Sequence, residues 1–336
     1  MKRSFYRSAS LALLFLLTAC TGTQNSTESV PPPISTQPSM TATSAPITPA
    51  AQLQKPEQVL ADVIKNYNET TTDCREYGTN KPRGHYYCSG VLARTVDNGN
   101  FNPWVYSPTA IAIGATSYSW LRQDVTQTQL YHPAGFILRN RIDAIAHGLP
   151  ALESGFICLY PFDASTSTAN GHQGCGYRAA RVGQQVKQSE QLAPIDLNDD
   201  NSKYAWGSCD GLGIVTATQW DNHFQSVGHT PSRQCSWNID SQHGWNNMIA
   251  SRDDFPNLKT LWNEILLNNY GDGGQMPKYI AAYFFDVNKA NSLSIARTFQ
   301  TKMNAAGYNV PILRLNFLTA PANRFTYNAA DQAVPQ

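Results

Sequence analysis

Six cysteines stand in the body of this chain, at Cys74, Cys88, Cys158, Cys175, Cys209 and Cys235, and they constrain its fold more than any other feature. An even set serves as a disulfide framework only if the chain leaves the reducing cytosol. The first residues meet that condition. Lys2, Arg3 and Arg7 precede an apolar run from Leu11 to Leu17, the order of charge and hydrophobicity found in a secretory signal. Six cysteines permit fifteen pairings. Sequence order favours the local ones, Cys74–Cys88, Cys158–Cys175 and Cys209–Cys235, because each pair brackets a Gly- or Pro-containing loop. Each would close a loop of about 15 to 27 residues, worth about 3 kcal/mol in the chain-entropy account. Zinc is the rival use, with His85 and His172 nearby. No CxxC or HxxxH spacing supports it, so no metal is expected.

The leader closes on Leu17-Thr18-Ala19-Cys20, which resembles the bacterial lipobox. That resemblance implies a signal peptide over 1–19, a mature chain starting at a lipidated Cys20, and, with Thr21 rather than Asp next, sorting to the outer membrane or release outside the cell. Residues 20–55 are then a tether of Ser, Thr, Pro, Gln and Ala. Such a composition buries too little apolar surface to offset its ordering entropy, and as a coil it reaches about 30 Å. No later apolar run is long enough to span a bilayer, so contact with a membrane is expected through the lipid alone. With 25 Lys+Arg against 24 Asp+Glu, nucleic acid is not an expected partner.

The remaining residues, 56–330, read as one disulfide-stapled α+β domain with a mixed sheet and peripheral helices. Pro56 opens a helix with Val59, Leu60, Val63, Ile64 and Tyr67 on one face. Strands are expected over Tyr86–Val96, Thr116–Leu121, Gly155–Phe162, Tyr279–Phe285 and Val310–Phe317. Helices are expected from Ser107-Pro108 to Gly114, over Thr216–Phe224, over Pro256–Leu267 and over Asn291–Ala306. The last helix, between two apolar strands, suggests a crossover. Residues 177–208 are polar and irregular. Trp220, Trp237 and Trp245 read as core packing.

No G-x-S-x-G elbow, H-E-x-x-H, Walker loop or strand-linked G-x-G-x-x-G is present. The acidic loop Asp196–Asp200 has calcium-like spacing, but it lacks the Gly and the distal Glu of a calcium loop and reads as a solvated turn.

The stretch YYCSGVLARTVDNGNFNPWVYSPTAIAIGATSYSWLRQD over 86–124 puts an Arg at the end of an early strand, ahead of a Ser-Pro helix start and a Gly. It resembles the front part of ADP-ribosyltransferase toxins. The longer pattern through GFICLYPFD, GCG and CDGLGIVTATQW resembles the halovibrin-like secreted bacterial proteins, which are associated with NAD glycohydrolase activity. The resemblance implies NAD as substrate rather than bound cofactor, cleavage of its nicotinamide–ribosyl bond, and perhaps-distinct transfer to an unknown protein acceptor.

On that resemblance Arg94 grips the pyrophosphate, a task suited to a bidentate guanidinium, with Arg122 as a second phosphate ligand. Ser117 and Tyr118 line the nicotinamide slot, and His172 in the loop NGHQGCG is a further binding side chain or base. A carboxylate must support the oxocarbenium-like transition state. Glu190 of Gln188-Ser189-Glu190 matches the toxins' Gln-x-Glu motif, just as Ser165-Thr166-Ser167 matches their Ser-Thr-Ser. Asp163, Asp124 and Glu153 are the other candidates. The alternative of a different class is a non-enzymatic envelope or adhesion lipoprotein that binds a glycan or a surface protein.

Overall fold

The structure, a computed structural model, describes residues 54–76, 78–96, 116–151, 156–164, 209–230, 234–238, 241–255, 257–258, 261–267 and 276–333. Cys20, Glu153, the Ser107–Gly114 helix, Ser165–Ser167, His172, Cys175, residues 177–208 with Glu190, and Asp196–Asp200 lie outside them. So does the Cys158–Cys175 pairing. Among the described residues no helix is long and apolar enough to cross a membrane.

The elements in chain order are α1 (Pro56–Asn68), β1 (Cys74–Arg75), β2 (Pro82–Arg83), β3 (Val91–Thr95), β4 (Thr116–Leu121), β5 (Ala134–Leu138), α2 (Arg141–Ala146) and β6 (Phe156–Tyr160). They continue with α3 (Ala217–Ser226), β7 (Trp237–Asn238), α4 (Gln242–Asp253), β8 (Glu264–Leu267), β9 (Ile280–Asp286), α5 (Ser292–Ala305), β10 (Ile312–Leu315) and β11 (Phe325–Tyr327). Nine strands form one sheet in the order β11-β10-β9-β5-β3-β4-β8-β6-β7. Every neighbouring pair in it is antiparallel except β9 and β10, which are parallel and joined by α5. The expected crossover is therefore present within an α+β fold whose sheet is mixed and whose helices are peripheral.

Strand alternation sorts the core into two faces. Val91, Ala93, Leu121, Ile137, Phe284, Leu313 and Leu315 share one face with Val59, Val63 and Tyr67 of α1. On the other, Tyr118, Phe136, Tyr283 and Ile312 pack against Ile295, Ala296, Phe299 and Met303 of α5. That second face continues through Trp120, Leu159, Ile265 and Trp237 under Trp220 and Phe224 of α3 and Trp245 and Met248 of α4. The three tryptophans read as packing residues are all 0% exposed.

Two staples hold this arrangement. Cys74 is bonded to Cys88 and Cys209 to Cys235, both as sequence order suggested. Asn263 acts as a third, non-covalent one, since its side chain mimics a strand. Its Oδ1 accepts from the Trp120 amide at 2.7 Å and its Nδ2 donates to the Trp120 carbonyl at 2.8 Å.

Two expectations need correction. Tyr86–Val96 is not one strand: His85–Tyr87 forms a 3-10 turn and pairing begins only at Val91. The disulfide at Cys88 and Gly90, with φ +74°, turn the chain before it can extend. Pro256–Leu267 is not a helix, because Glu264–Leu267 is a strand fully buried between β4 and β6. The apparent helical spacing of Leu258, Leu261, Trp262 and Ile265 was coincidence. The real helix, α4, starts earlier at a Ser241 cap and buries Gly244, Trp245, Met248, Ser251 and Arg252.

A Cβ built on Gly90 would lie 1.9 Å from Trp120 Nε1, where that indole donates to the Ser89 carbonyl at 3.0 Å. Gly90→Ala is therefore expected to lower unfolding stability by about 2–4 kcal/mol, as read by denaturant titration. A loss within about 0.5 kcal/mol, the range of a surface substitution, would contradict the packing described.

Candidate functional site

One row of facing residues runs across the sheet: Ile312, Tyr283, Phe136 and Arg94 on one side, then Tyr118, Ile265, Leu159 and Trp237 on the other. It is apolar apart from Arg94 and the two tyrosine hydroxyls, and it is interrupted between Arg94 and Tyr118. Backbone pairing of β3 with β4 runs Val91↔Leu121, Leu92↔Trp120 and Ala93↔Ser119, and ends there. Beyond that point β3 stays with β5, through Arg94↔Phe136 and Thr95↔Gly135. β4 stays with β8, from Tyr118↔Ile265 to Thr116↔Leu267. The sheet forks, and Arg94 stands in the fork.

The Arg94 guanidinium is held without an ion pair. Its Nη1 donates to the Ser117 carbonyl at 2.7 Å, and its carbon lies 5.9 Å from the centre of the Tyr118 ring. Burial pulls its pKa below the usual arginine value, while the charges of Tyr118 and Glu264 act in the opposite direction. Gly135 lets β5 approach this closely, because a Cβ there would meet the Arg94 carbonyl oxygen at 1.9 Å. Among the described residues no carboxylate forms a salt bridge with Arg94.

Arg94, Ser117 and Tyr118 are thus brought together. Arg122 is not with them. It follows the far end of β4, four residues beyond Tyr118, or about 13 Å along the strand. There its Nε and Nη2 grip both oxygens of Asp124, at 2.6 and 2.7 Å, and its Nη1 donates to Ser89 Oγ at 3.1 Å. The guanidinium is buried and lies 4.6 Å from the centre of the Trp120 ring. Arg122 and Asp124 pair with each other. Asp163 follows β6, half-buried, with its amide bonded to the Trp262 carbonyl at 3.0 Å.

Glu264 was not among the candidates read from sequence. It is 2% exposed, accepts the Ala164 amide at 2.8 Å, and its charge acts on Arg94. It heads β8, inside the stretch expected to be helical, so its signal was an acid opening an apolar strand that had been given the wrong period. By alternation it belongs to the α1 face, with Ser119 and Leu266, whereas Arg94 and Tyr118 belong to the other. It supports the cation through the sheet rather than across the fork.

Beside Arg122 lies His85, 0% exposed and stacked on Trp245 at 5.7 Å. Burial, and then the Arg122 charge, hold its pKa down to about 4. Among the described residues no group of three or more His, Cys, Asp or Glu converges to hold a metal ion. In comparisons with known proteins, no family model matches the chain and no curated protein matches it.

A histidine whose folded pKa is lowered from 6.5 to about 4 must give up its proton to fold. Its contribution to stability is complete above the unfolded value and is lost as pH falls through that window. The melting temperature should therefore drop between about pH 6.5 and 4, and His85→Phe, which keeps the ring stack, should flatten part of that slope. An identical acid limb in both proteins, followed by circular dichroism, would count against a neutral buried His85.

Proposed function

We propose that this chain hydrolyses the nicotinamide–ribosyl bond of NAD, with Arg94 as the group that holds the dinucleotide. The observation that carries the reading is the fork itself. A half-buried guanidinium between diverging strands has a neutral carbonyl and a ring as its described partners. A desolvated cation is costly unless an anion answers it, and a pyrophosphate answers a guanidinium bidentately.

The remaining chemistry follows from the substrate. Nicotinamide leaves as a neutral amide once the glycosidic electrons pass to the ring nitrogen, so no acid is required to protonate it. The ribosyl cation needs nearby negative charge and then a water. Tyr118 and Phe136 flank Arg94 on the same face and offer aromatic surface to a base. Glu264 contributes a fixed negative field behind the cation. The carboxylate that meets the ribose is assigned to the segments holding Glu153 or Glu190, with Asp163 at the edge of the second. The resemblance to halovibrin-like proteins and ADP-ribosyltransferase toxins supports this assignment, and a lipoprotein-like leader suits an exported NAD-consuming enzyme. Arg122 has no part in the reading, because Asp124, Ser89 and His85 engage its donors.

Purified protein incubated with NAD should release nicotinamide. Arg94→Ala is expected to lower turnover on the order of 100-fold, and Arg94→Lys to restore charge without the bidentate grip and recover only part of it. Equal turnover in wild type and Arg94→Ala would remove Arg94 from the site, and no nicotinamide from either would remove the activity.

A further inference from the structure

The helix pair α3 and α4, which roofs β6, β7 and β8, carries a contact that the NAD reading does not use. Asp221 lies in α3 beside the fully buried Trp220, and Asp254 caps the end of α4. Their carboxyl groups hydrogen-bond each other, and Ser251 also bonds Asp221. Asp221 Oδ1 is buried with no hydrogen-bond partner, while Asp254 is exposed.

The obvious cation stays out of this contact. Arg252, two residues before Asp254 and 1% exposed, donates instead to three backbone carbonyls, of Pro161, Thr126 and Leu261. Among the described residues no Lys or Arg forms a salt bridge with Asp221 or Asp254. The other ionisable groups on the packed elements are Asp253 on α4, His223 on α3, and His229, which packs against Phe224 and Phe255 in the turn after α3.

A hydrogen bond between two carboxyl groups needs one proton, since two carboxylates have only acceptors to offer. The buried, unsolvated oxygen places that proton on Asp221, and the exposed Asp254 accepts it. We infer that Asp221 and Asp254 form a one-proton latch between α3 and α4, and that loss of this proton to water loosens the helix pair from β6–β8.

Burial, reinforced by the hydrogen bond and charge of Asp254, pushes Asp221 from 3.8 up to about 7. A carboxyl whose folded pKa is raised stabilises the fold fully below its unfolded value, and that contribution is lost as pH rises through the folded value. The latch is closed in acid and open in alkali, opposite in sign to the effect of His85.

The test is thermal unfolding and tryptophan fluorescence of the full chain between about pH 5 and 9, since Trp220 and Trp245 are both 0% exposed. Wild type should show a step near pH 7. Asp221→Asn, which donates an amide hydrogen to Asp254 at every pH, should lack the step and melt about 3 °C or more above wild type at pH 8. Asp254→Asn removes the like charge and should move the step down by about one pH unit. A flat wild-type profile would overturn the latch, as would a step that survives Asp221→Asn or disappears in His223→Gln or His229→Gln. Should Asp221→Asn fail to fold, an unmoved midpoint in Asp254→Asn overturns it equally. None of these readings depends on NAD turnover.

Discussion

A guanidinium placed in a row of apolar side chains is tolerated only where something answers its charge, and Arg94 is in that position. The structure meets part of the cost by breaking its own sheet. β3 and β4 stop pairing at Ala93 and Ser119, and the carbonyl of Ser117 bonds the Arg94 side chain. An uninterrupted ladder would leave less room for a ligand between the strands. The fork thus links local sequence, an Arg two residues beyond the last apolar pair, to a feature of the whole sheet.

The rest of the molecule holds the fork's two arms in place. One arm, β5-β9-β10-β11, is sealed by α1 on one face and α5 on the other. The other, β8-β6-β7, lies under the α3–α4 roof and the Cys209–Cys235 disulfide. Where the arms still pair, polar contacts replace mobility with fixed geometry. Asn263 binds the Trp120 backbone, and the Arg122–Asp124 pair lies against Ser89, His85 and Trp120. Buried ion pairs of this kind contribute more to a unique arrangement than to net stability. Arg252 plays a comparable part below α4, collecting three carbonyls from three separate loops.

Much of this was legible where one period dominated. The α1 stripe, the β9–α5–β10 crossover and the tryptophan core all follow from apolar spacing, and the local disulfides from loop closure. Legibility failed where side chains hid the pattern. The buried stripe of α4 is built of Gly244, Ser251 and Arg252 as well as Trp245 and Met248, so it reads as polar. β5, with the sequence AGFIL, is buried throughout, too short and too uniform for alternation to show. The Arg94–Ser117–Tyr118 grouping could be anticipated from strand order along the chain. The fork could not, because it depends on which neighbour each strand keeps, and the same holds for Glu264, which only the sheet order brings within electrostatic reach of Arg94.

The central claim is that Arg94 is an anion-holding group, and its side-chain nitrogen reports this directly. In nitrogen-15 spectra of the full chain titrated with ADP-ribose, the Arg94 Nε resonance should shift and saturate, while Arg122 Nε, fixed on Asp124, stays in place. Nicotinamide alone should move Arg94 far less. An Arg94 resonance that remains still at ligand saturation, or one that moves no more than Arg122, would contradict the account.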